Sequence, residues 1–87
     1  MKIKNDTTIE FVSNTQLFDK EESGVKNNIV RWLNESEKYI LQQFQPKHIS
    51  IRNSYNRKQF TRIITDVSEY GGWTIISWKH TGIDLDD

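Results

Sequence analysis

Residues 60–79 have the sequence FTRIITDVSEYGGWTIISWK. β-Branched and aromatic residues fill both halves of this segment, and Gly71 and Gly72 separate them. Such side chains favour extended backbone, and two adjacent glycines supply the positive φ angles of a tight turn at little steric cost. The segment therefore predicts a β-hairpin with strands over about residues 59–67 and 73–79.

Two further strands are predicted upstream of this hairpin. Residues 48–53 alternate polar and apolar side chains with the period of two that is typical of a half-buried strand, and residues 7–12 are β-branched and partly alternating. Only polar segments separate the last three strands, so we expect them to form an antiparallel meander.

Apolar residues recur at about every third or fourth position between the first two strands, as in an amphipathic helix. Asp19 and Glu22 have the spacing of a reciprocal N-terminal cap, and Pro46 disfavours helical geometry in the residue before it. We therefore predict one long amphipathic helix over about residues 20–44. Its apolar stripe consists of Val25, Ile29, Leu33, Ile40 and Phe44, with Val30, Trp32 and Leu41 widening it.

These elements predict a single α+β domain over residues 1–87, in the order β-α-β-β-β, with the long helix packed on an antiparallel sheet. The apolar fraction is only 34%, so the core must rely on a few large side chains. We expect Trp32 and Trp78 in that core, whereas Trp73, beside the glycine turn, is compatible with either core or surface.

Both faces of the hairpin carry large apolar side chains, and one helix covers only one face. Ile76 and Trp78 point to one face, and Trp73 and Ile75 point to the other. Three outcomes are open for the second face. Other parts of the chain cover it, such as residues 17–18 or 83–85, or it forms a homodimer, or it binds another macromolecule.

Charge is balanced over the whole chain but unevenly distributed. The 12 basic and 12 acidic residues leave no net charge that would draw the protein to nucleic acid or to an anionic membrane. Five cations and no acid lie within residues 47–65, whereas residues 83–87 form an acidic tail. Positive charge therefore concentrates on the hairpin over residues 52–62.

This basic hairpin suits two classes of partner. Its cations can neutralise phosphates while its aromatic rings stack on bases, but arginine and tyrosine also anchor protein interfaces. We expect a protein partner, with nucleic acid as the alternative. The predicted partner-binding residues are Arg52, Tyr55, Arg57, Lys58, Phe60, Arg62 and Trp73.

No motif predicts catalysis or a cofactor. The sequence contains no glycine-rich phosphate loop and no nucleophile elbow, and the absence of cysteine excludes thiolate metal sites. His48 and His80 could meet across adjacent strands, but no third ligand is spaced to join them, so we expect no metal site. We expect no enzymatic activity. The catalytic alternative is a small ribonuclease-type toxin, in which His48 or His80 is the acid or base and Arg62 stabilises a phosphorane.

The N-terminal residues lack the apolar core of a secretory signal, and no segment approaches the length of a membrane span. We therefore expect a cytoplasmic protein without a membrane partner. The chain has no alanine and is rich in Asn, Ile and Lys, a bias that AT-rich coding produces and that is common in small phage and mobile-element proteins. The sequence thus predicts a small non-catalytic protein–protein inhibitor or adaptor of phage or mobile-element type.

Overall fold

Six strands and two helices form the fold, and the computed structural model describes it over residues 1–80. The predicted acidic tail, residues 83–87, lies outside the described residues. In chain order the elements are β1 (Lys2–Asn5), β2 (Thr8–Ser13), α1 (Thr15–Ser23), β3 (Asn28–Arg31), α2 (Glu35–Phe44), β4 (His48–Asn53), β5 (Gln59–Tyr70) and β6 (Trp73–Trp78).

The strands form one mixed sheet with the order β1-β2-β4-β5-β6-β3. β2 pairs with β4 in parallel, and every other neighbouring pair is antiparallel. The predicted α+β class is confirmed, and β4, β5 and β6 form an antiparallel meander. The prediction of a wholly antiparallel sheet is wrong, because β2 approaches β4 through a long crossover rather than a hairpin.

The prediction of one helix over residues 20–44 is also wrong. Gly24 adopts a left-handed conformation (φ +91°) and ends α1, and β3 separates α1 from α2. α1 begins at the cap Asn14, so Asp19 lies inside a helix rather than at its start. The helical spacing combined residues of two different elements and of the segments that connect them, since Ile29 is a buried strand residue whereas Leu41 is a helical one.

The core lies on one face of the sheet. The strand register places Ile9 beside Ile49, Ile51 beside Phe60, and Ile29 beside Ile76, and all six side chains are buried. α1 contributes Phe18, whose ring centroid lies 5.3 Å from that of Phe60, and α2 contributes Leu41. Trp78 also joins this cluster, so its predicted place in the core is confirmed.

The sheet curls, so that the end of the edge strand β3 meets the end of β2. The Arg31 guanidinium donates hydrogen bonds to the Val12 carbonyl at 2.9 Å and to Ser13 Oγ at 3.2 Å, although β3 and β2 are not neighbours in the sheet. The same guanidinium lies 5.8 Å from the centroid of the Phe11 ring. Arg31 therefore holds the curled sheet together over its buried face.

The opposite, outer face is mainly polar over β1, β2, β4 and β5, with Val12 and Ile63 as apolar members. Lys4 Nζ donates to Gln59 Oε1 at 3.2 Å across the intervening strands, and Arg52 Nε donates to Glu10 Oε2 at 3.1 Å. The apolar side chains of the predicted second face thus concentrate in the part of the sheet near β3 and β6.

A β-bulge in β5 changes which side chains reach that outer face. Ile64 pairs with Trp78 but Asp66 pairs with Ser77, so Thr65 is an additional residue. Beyond it the alternation of faces reverses, and Val67 lies opposite Ile76 on the helix-bearing face rather than beside Ile63.

The two asparagine caps allow a test of the broken helix. Asn34 Oδ1 accepts from Glu37 N at 2.8 Å while Glu37 Oε1 accepts from Asn34 N at 3.1 Å, whereas Asn14 Oδ1 accepts only from Leu17 N. Asn14→Ala and Asn34→Ala each remove one side-chain acceptor and should each lower the free energy of unfolding by about 1 kcal/mol, while the backbone N–H of residue 34 stays available to Glu37.

Urea unfolding followed by circular dichroism measures both effects. Ser36→Ala, at an exposed position in the first turn of α2, is the matched control and should change stability little. If Asn34→Ala lowered the free energy of unfolding no more than Ser36→Ala does, a helix start at Asn34 would be contradicted.

Candidate partner-binding surface

The loop between β4 and β5 presents three of the predicted binding residues. Asn53 is buried, and its Oδ1 accepts from the backbone N–H groups of Tyr55 at 2.8 Å and Asn56 at 3.4 Å. This turn holds Tyr55, Arg57 and Lys58 in solvent, with Tyr55 87% exposed. Arg57 adopts a left-handed backbone conformation (φ +64°). The loop is therefore an ordered turn that carries one aromatic ring and two cations.

Three other predicted residues are not free surface groups. Arg52 is half-buried and paired with Glu10. Phe60 and Arg62 are 3% and 5% exposed, and the Arg62 guanidinium lies 4.6 Å from the centroid of the Phe60 ring. Both side chains point to the face that α1 covers. The helix predicted from the sequence began only at about residue 20, so it did not include Phe18, which packs on Phe60. Phe60 and Arg62 therefore cannot be surface anchors.

Trp73, the seventh predicted residue, belongs to an exposed apolar cluster. The register places Val30 beside Ile75 and Tyr70 beside Trp73 on the outer face, and Trp32 follows directly after β3. Trp32 and Trp73 are 62% and 47% exposed, and their ring centroids lie 5.4 Å apart in an edge-to-face arrangement. We call Val30, Trp32, Tyr70, Trp73 and Ile75 the tryptophan patch.

Gly72 positions Trp32 in this patch. It occupies the turn between β5 and β6 with φ +87°, and a Cβ atom there would lie 2.7 Å from the Trp32 ring. On another side of the ring, Lys38 Nζ lies 5.8 Å from the ring centroid. Trp32 is therefore held between the turn, Trp73 and α2, and such preorganisation lowers the entropy that a side chain loses on binding.

The cation next to the patch is itself paired. Lys38 Nζ lies 3.4 Å from Glu69 Oε2 and 3.9 Å from Glu35 Oε2, so its charge is compensated. The tryptophan patch thus has a charge-compensated cation on its α2 side, whereas the β4–β5 loop carries two exposed cations.

Two concave regions flank the patch. A cleft of about 520 Å³ lies between α2 and β5, and we call it the α2–β5 cleft; its lining residues are Lys38, Leu41, Gln42, Gln45, Pro46, Val67, Ser68, Glu69 and Thr74. A second groove of about 310 Å³ includes Trp32, Arg31 and Arg52. The structure therefore brings the predicted Arg52 near Trp32, whereas Lys38 connects Trp32 to the cleft.

The two histidines lie apart. His48 begins β4, where its Nδ1 is 3.2 Å from Thr7 Oγ1, and His80 follows β6 with its ring against Gly24. β5 lies between β4 and β6, so the two histidines are not on adjacent strands. Within residues 1–80, no group of three or more His, Asp or Glu side chains could hold a metal ion.

Four patch residues were not predicted as binding residues. Trp32 was expected in the core because helical spacing placed it beside Leu33 and Ile29, and the expectation is wrong since Trp32 is exposed. The β-branched pair Ile29 and Val30 between Gly24 and the capping signal of Asn34 was the available indication of a strand. An alternating strand would have placed Val30 and Trp32 together on one face.

No protein-family model matches the chain, and no curated protein matches it. None of the helices in the described range, residues 1–80, is long and apolar enough to cross a membrane.

The two turn glycines provide a matched test of the patch geometry. Gly71 and Gly72 both have positive φ, so alanine at either position should cost about 1–2 kcal/mol of stability. At Gly71 a Cβ atom meets nothing within 4 Å, whereas at Gly72 it displaces the Trp32 ring. Gly72→Ala should therefore change the near-UV circular dichroism of the Trp32–Trp73 pair, and Gly71→Ala should not. Identical spectra for the two variants would contradict this packing.

Proposed function

We propose that this chain is a small non-catalytic binding protein that docks a protein partner on the tryptophan patch. The observation behind the proposal is the pair Trp32 and Trp73, which are 62% and 47% exposed and in mutual contact on a chain with few apolar residues. Contiguous exposed apolar side chains mark interaction surfaces. Tryptophan and tyrosine are also enriched among the residues that dominate binding energy.

The distribution of charge favours a protein over nucleic acid at this patch. Single-stranded nucleic acids bind where aromatic rings adjoin cations that track the phosphates. Here the neighbouring Lys38 is compensated by Glu69 and Glu35. The arginines of the neighbouring groove, Arg31 and Arg52, are also engaged within the molecule. Aromatic anchors whose neighbouring cations are engaged in this way suit a protein interface.

The sheet edges favour docking by side chains rather than by strand addition. β1 carries Lys2 and Lys4 on one edge strand. On the other edge strand, β3, Lys26 Nζ donates to the Asn28 carbonyl. Lysines of this kind protect an exposed edge from pairing with another chain. We therefore propose that the partner contacts the outer face of β3 and β6.

The proposed mechanism is occlusion or recruitment, as an inhibitor or adaptor of phage or mobile-element type performs it. A rigid patch that covers a functional surface of the partner blocks that surface, and the rest of the domain remains available for a second contact. The alanine-free composition supports the mobile-element origin, and the proposed site of action is the cytoplasm.

Truncation of one indole tests the proposal. The full chain captures its partner from an extract of the host, and the affinity of the purified pair is then measured by calorimetry. Trp32→Ala should weaken binding by a factor of about 30 or more, as expected of an anchor that contributes at least about 2 kcal/mol. Because Trp32 is largely exposed, this variant should remain folded.

Val25→Ala is the control, since Val25 is exposed and lies outside the patch. It should change the affinity less than twofold. Partner binding that is equally strong for Trp32→Ala, Trp73→Ala and the control would refute the tryptophan patch as the docking site.

A second candidate function, nucleic-acid binding, is favoured by one observation. Tyr55, Arg57 and Lys58 are all exposed on the ordered β4–β5 loop. Of the four cations predicted for this hairpin, however, Arg52 is paired with Glu10 and Arg62 is buried. The loop thus offers about two phosphate contacts, which corresponds to weak binding with a small salt dependence.

Fluorescence titration of a mixed oligonucleotide pool measures that salt dependence. With about two contacts, the logarithm of the binding constant should fall with the logarithm of salt concentration with a slope of about −1.5 to −2. The double variant Arg57→Ala and Lys58→Ala should abolish the slope, and Lys20→Ala, an exposed cation on α1, should preserve it. Absence of binding at low salt would exclude this second function.

A further inference from the structure

We propose that the α2–β5 cleft receives an aliphatic side chain of the partner together with the backbone amide of that residue. This inference rests on the proposed function and extends it, because it specifies the chemistry of the segment that docks beside the tryptophan patch. The occupant is an extended peptide segment rather than a second copy of this chain.

The size and lining of the cleft suit such a group. Its volume of about 520 Å³ falls within the range of ligand pockets. Leu41, Pro46 and Val67 provide apolar walls, and Gln42 and Gln45 contribute amides on the α2 side. The aliphatic side chain of the partner is buried between Leu41, Pro46 and Val67. The polar backbone of the same partner residue lies near the amides of Gln42 and Gln45.

A buried hydroxyl group in the cleft lacks a hydrogen bond. Thr74 is 2% exposed, and its Oγ1 has no hydrogen-bond partner among residues 1–80. Leaving such a group unpaired is unfavourable, and buried polar groups are normally bonded to protein or to ordered water. A peptide amide that reaches Thr74 supplies either a donor or an acceptor, and thereby satisfies this group.

The charges of the cleft indicate that the group which enters is neutral. Lys38 on α2 and Glu69 on β5 both line the cleft, and their charged atoms are 3.4 Å apart. Because each charge already has its counter-charge, an entering carboxylate or ammonium would lose hydration without a free partner. An uncharged amide does not meet this penalty.

Surface area argues for a peptide rather than a stable homodimer. With about 150–250 Å² for a whole aromatic side chain, the exposed parts of Trp32, Trp73 and Tyr70 (62%, 47% and 81%) amount to roughly 400 Å². A stable interface covers about 800 Å² of each partner. Lys38 contacts Trp32 and also lines the cleft, so a segment that crosses the patch continues directly into it.

The experiment uses N-acetyl-leucinamide as the probe and the full-length chain labelled for NMR. The probe combines one aliphatic side chain with two neutral amides. We expect chemical-shift changes at Leu41, Val67 and Thr74 and a dissociation constant of about 1 mM, which is reasonable for a ligand of this size. N-acetyl-leucine, whose carboxylate is charged, should bind at least fivefold more weakly.

Two variants locate the probe. Thr74→Val removes the unpaired hydroxyl while it preserves the side-chain shape, so it should weaken binding five- to tenfold without loss of stability. Val67→Phe fills the cleft at a position that is exposed enough to accept a larger side chain, and it should abolish binding. Thr8→Val is the control and should leave the affinity for the probe unchanged. Thr8 is buried on the outer face of the sheet, away from the cleft, and its hydroxyl lies 3.4 Å from that of Thr7.

Three results would overturn the inference: no shifts at the cleft residues at a probe concentration of tens of millimolar, equal affinity for the charged probe, or unchanged affinity in Thr74→Val. A dimer in sedimentation equilibrium that Val67→Phe dissociates would also overturn it, because a second copy would then occupy the cleft. These failures are separate from failure of the proposed function, which is judged by the effect of Trp32→Ala on the captured partner.

Discussion

The parallel pairing of β2 with β4 constrains the position of every other element. Parallel neighbours cannot be joined by a tight turn, so the chain must leave the end of β2 and return to the opposite end of the sheet before β4 begins. The long connection between them contains α1, β3 and α2. The helices cover the face that bears Ile9, Ile49 and Phe60, while β3 adds to the far edge beside β6. That addition places Trp32 against Gly72 and Trp73.

The division of the outer face follows from this arrangement. Over β1, β2, β4 and β5, polar and charged side chains bond to one another, as Arg52 does to Glu10. Over β3 and β6, Val30 and Ile75 adjoin the two exposed indoles. One half of this face is therefore satisfied within the molecule, and the other half exposes apolar side chains to water, which is unfavourable.

Local sequence patterns were sufficient to predict the meander and the α+β class, because alternation, β-branching and the glycine pair act over a few residues. The crossover was not predictable in this way, since the pairing of Ile9 with Ile49 is set by packing of distant segments. Of the predicted binding residues, Tyr55, Arg57 and Lys58 are exposed. Phe60 was expected at the surface because α1, which contributes the neighbouring Phe18, was not predicted. Trp32 was expected in the core because the apparent helical period extended across the strand β3.

Thr65, the additional residue of the β5 bulge, determines which of the following side chains reach each surface. It sets the side of the sheet to which each residue from Asp66 to Tyr70 points, so that Val67 and Glu69 line the cleft while Tyr70 joins the tryptophans. If Thr65 instead paired with Ser77 in a regular ladder, each following residue would point to the other side and these two sets would be exchanged. One strand thereby serves both layers of the molecule, because its first half places Phe60 in the core and packs Ile64 against it, while its second half supplies alternate side chains to the cleft and to the tryptophans.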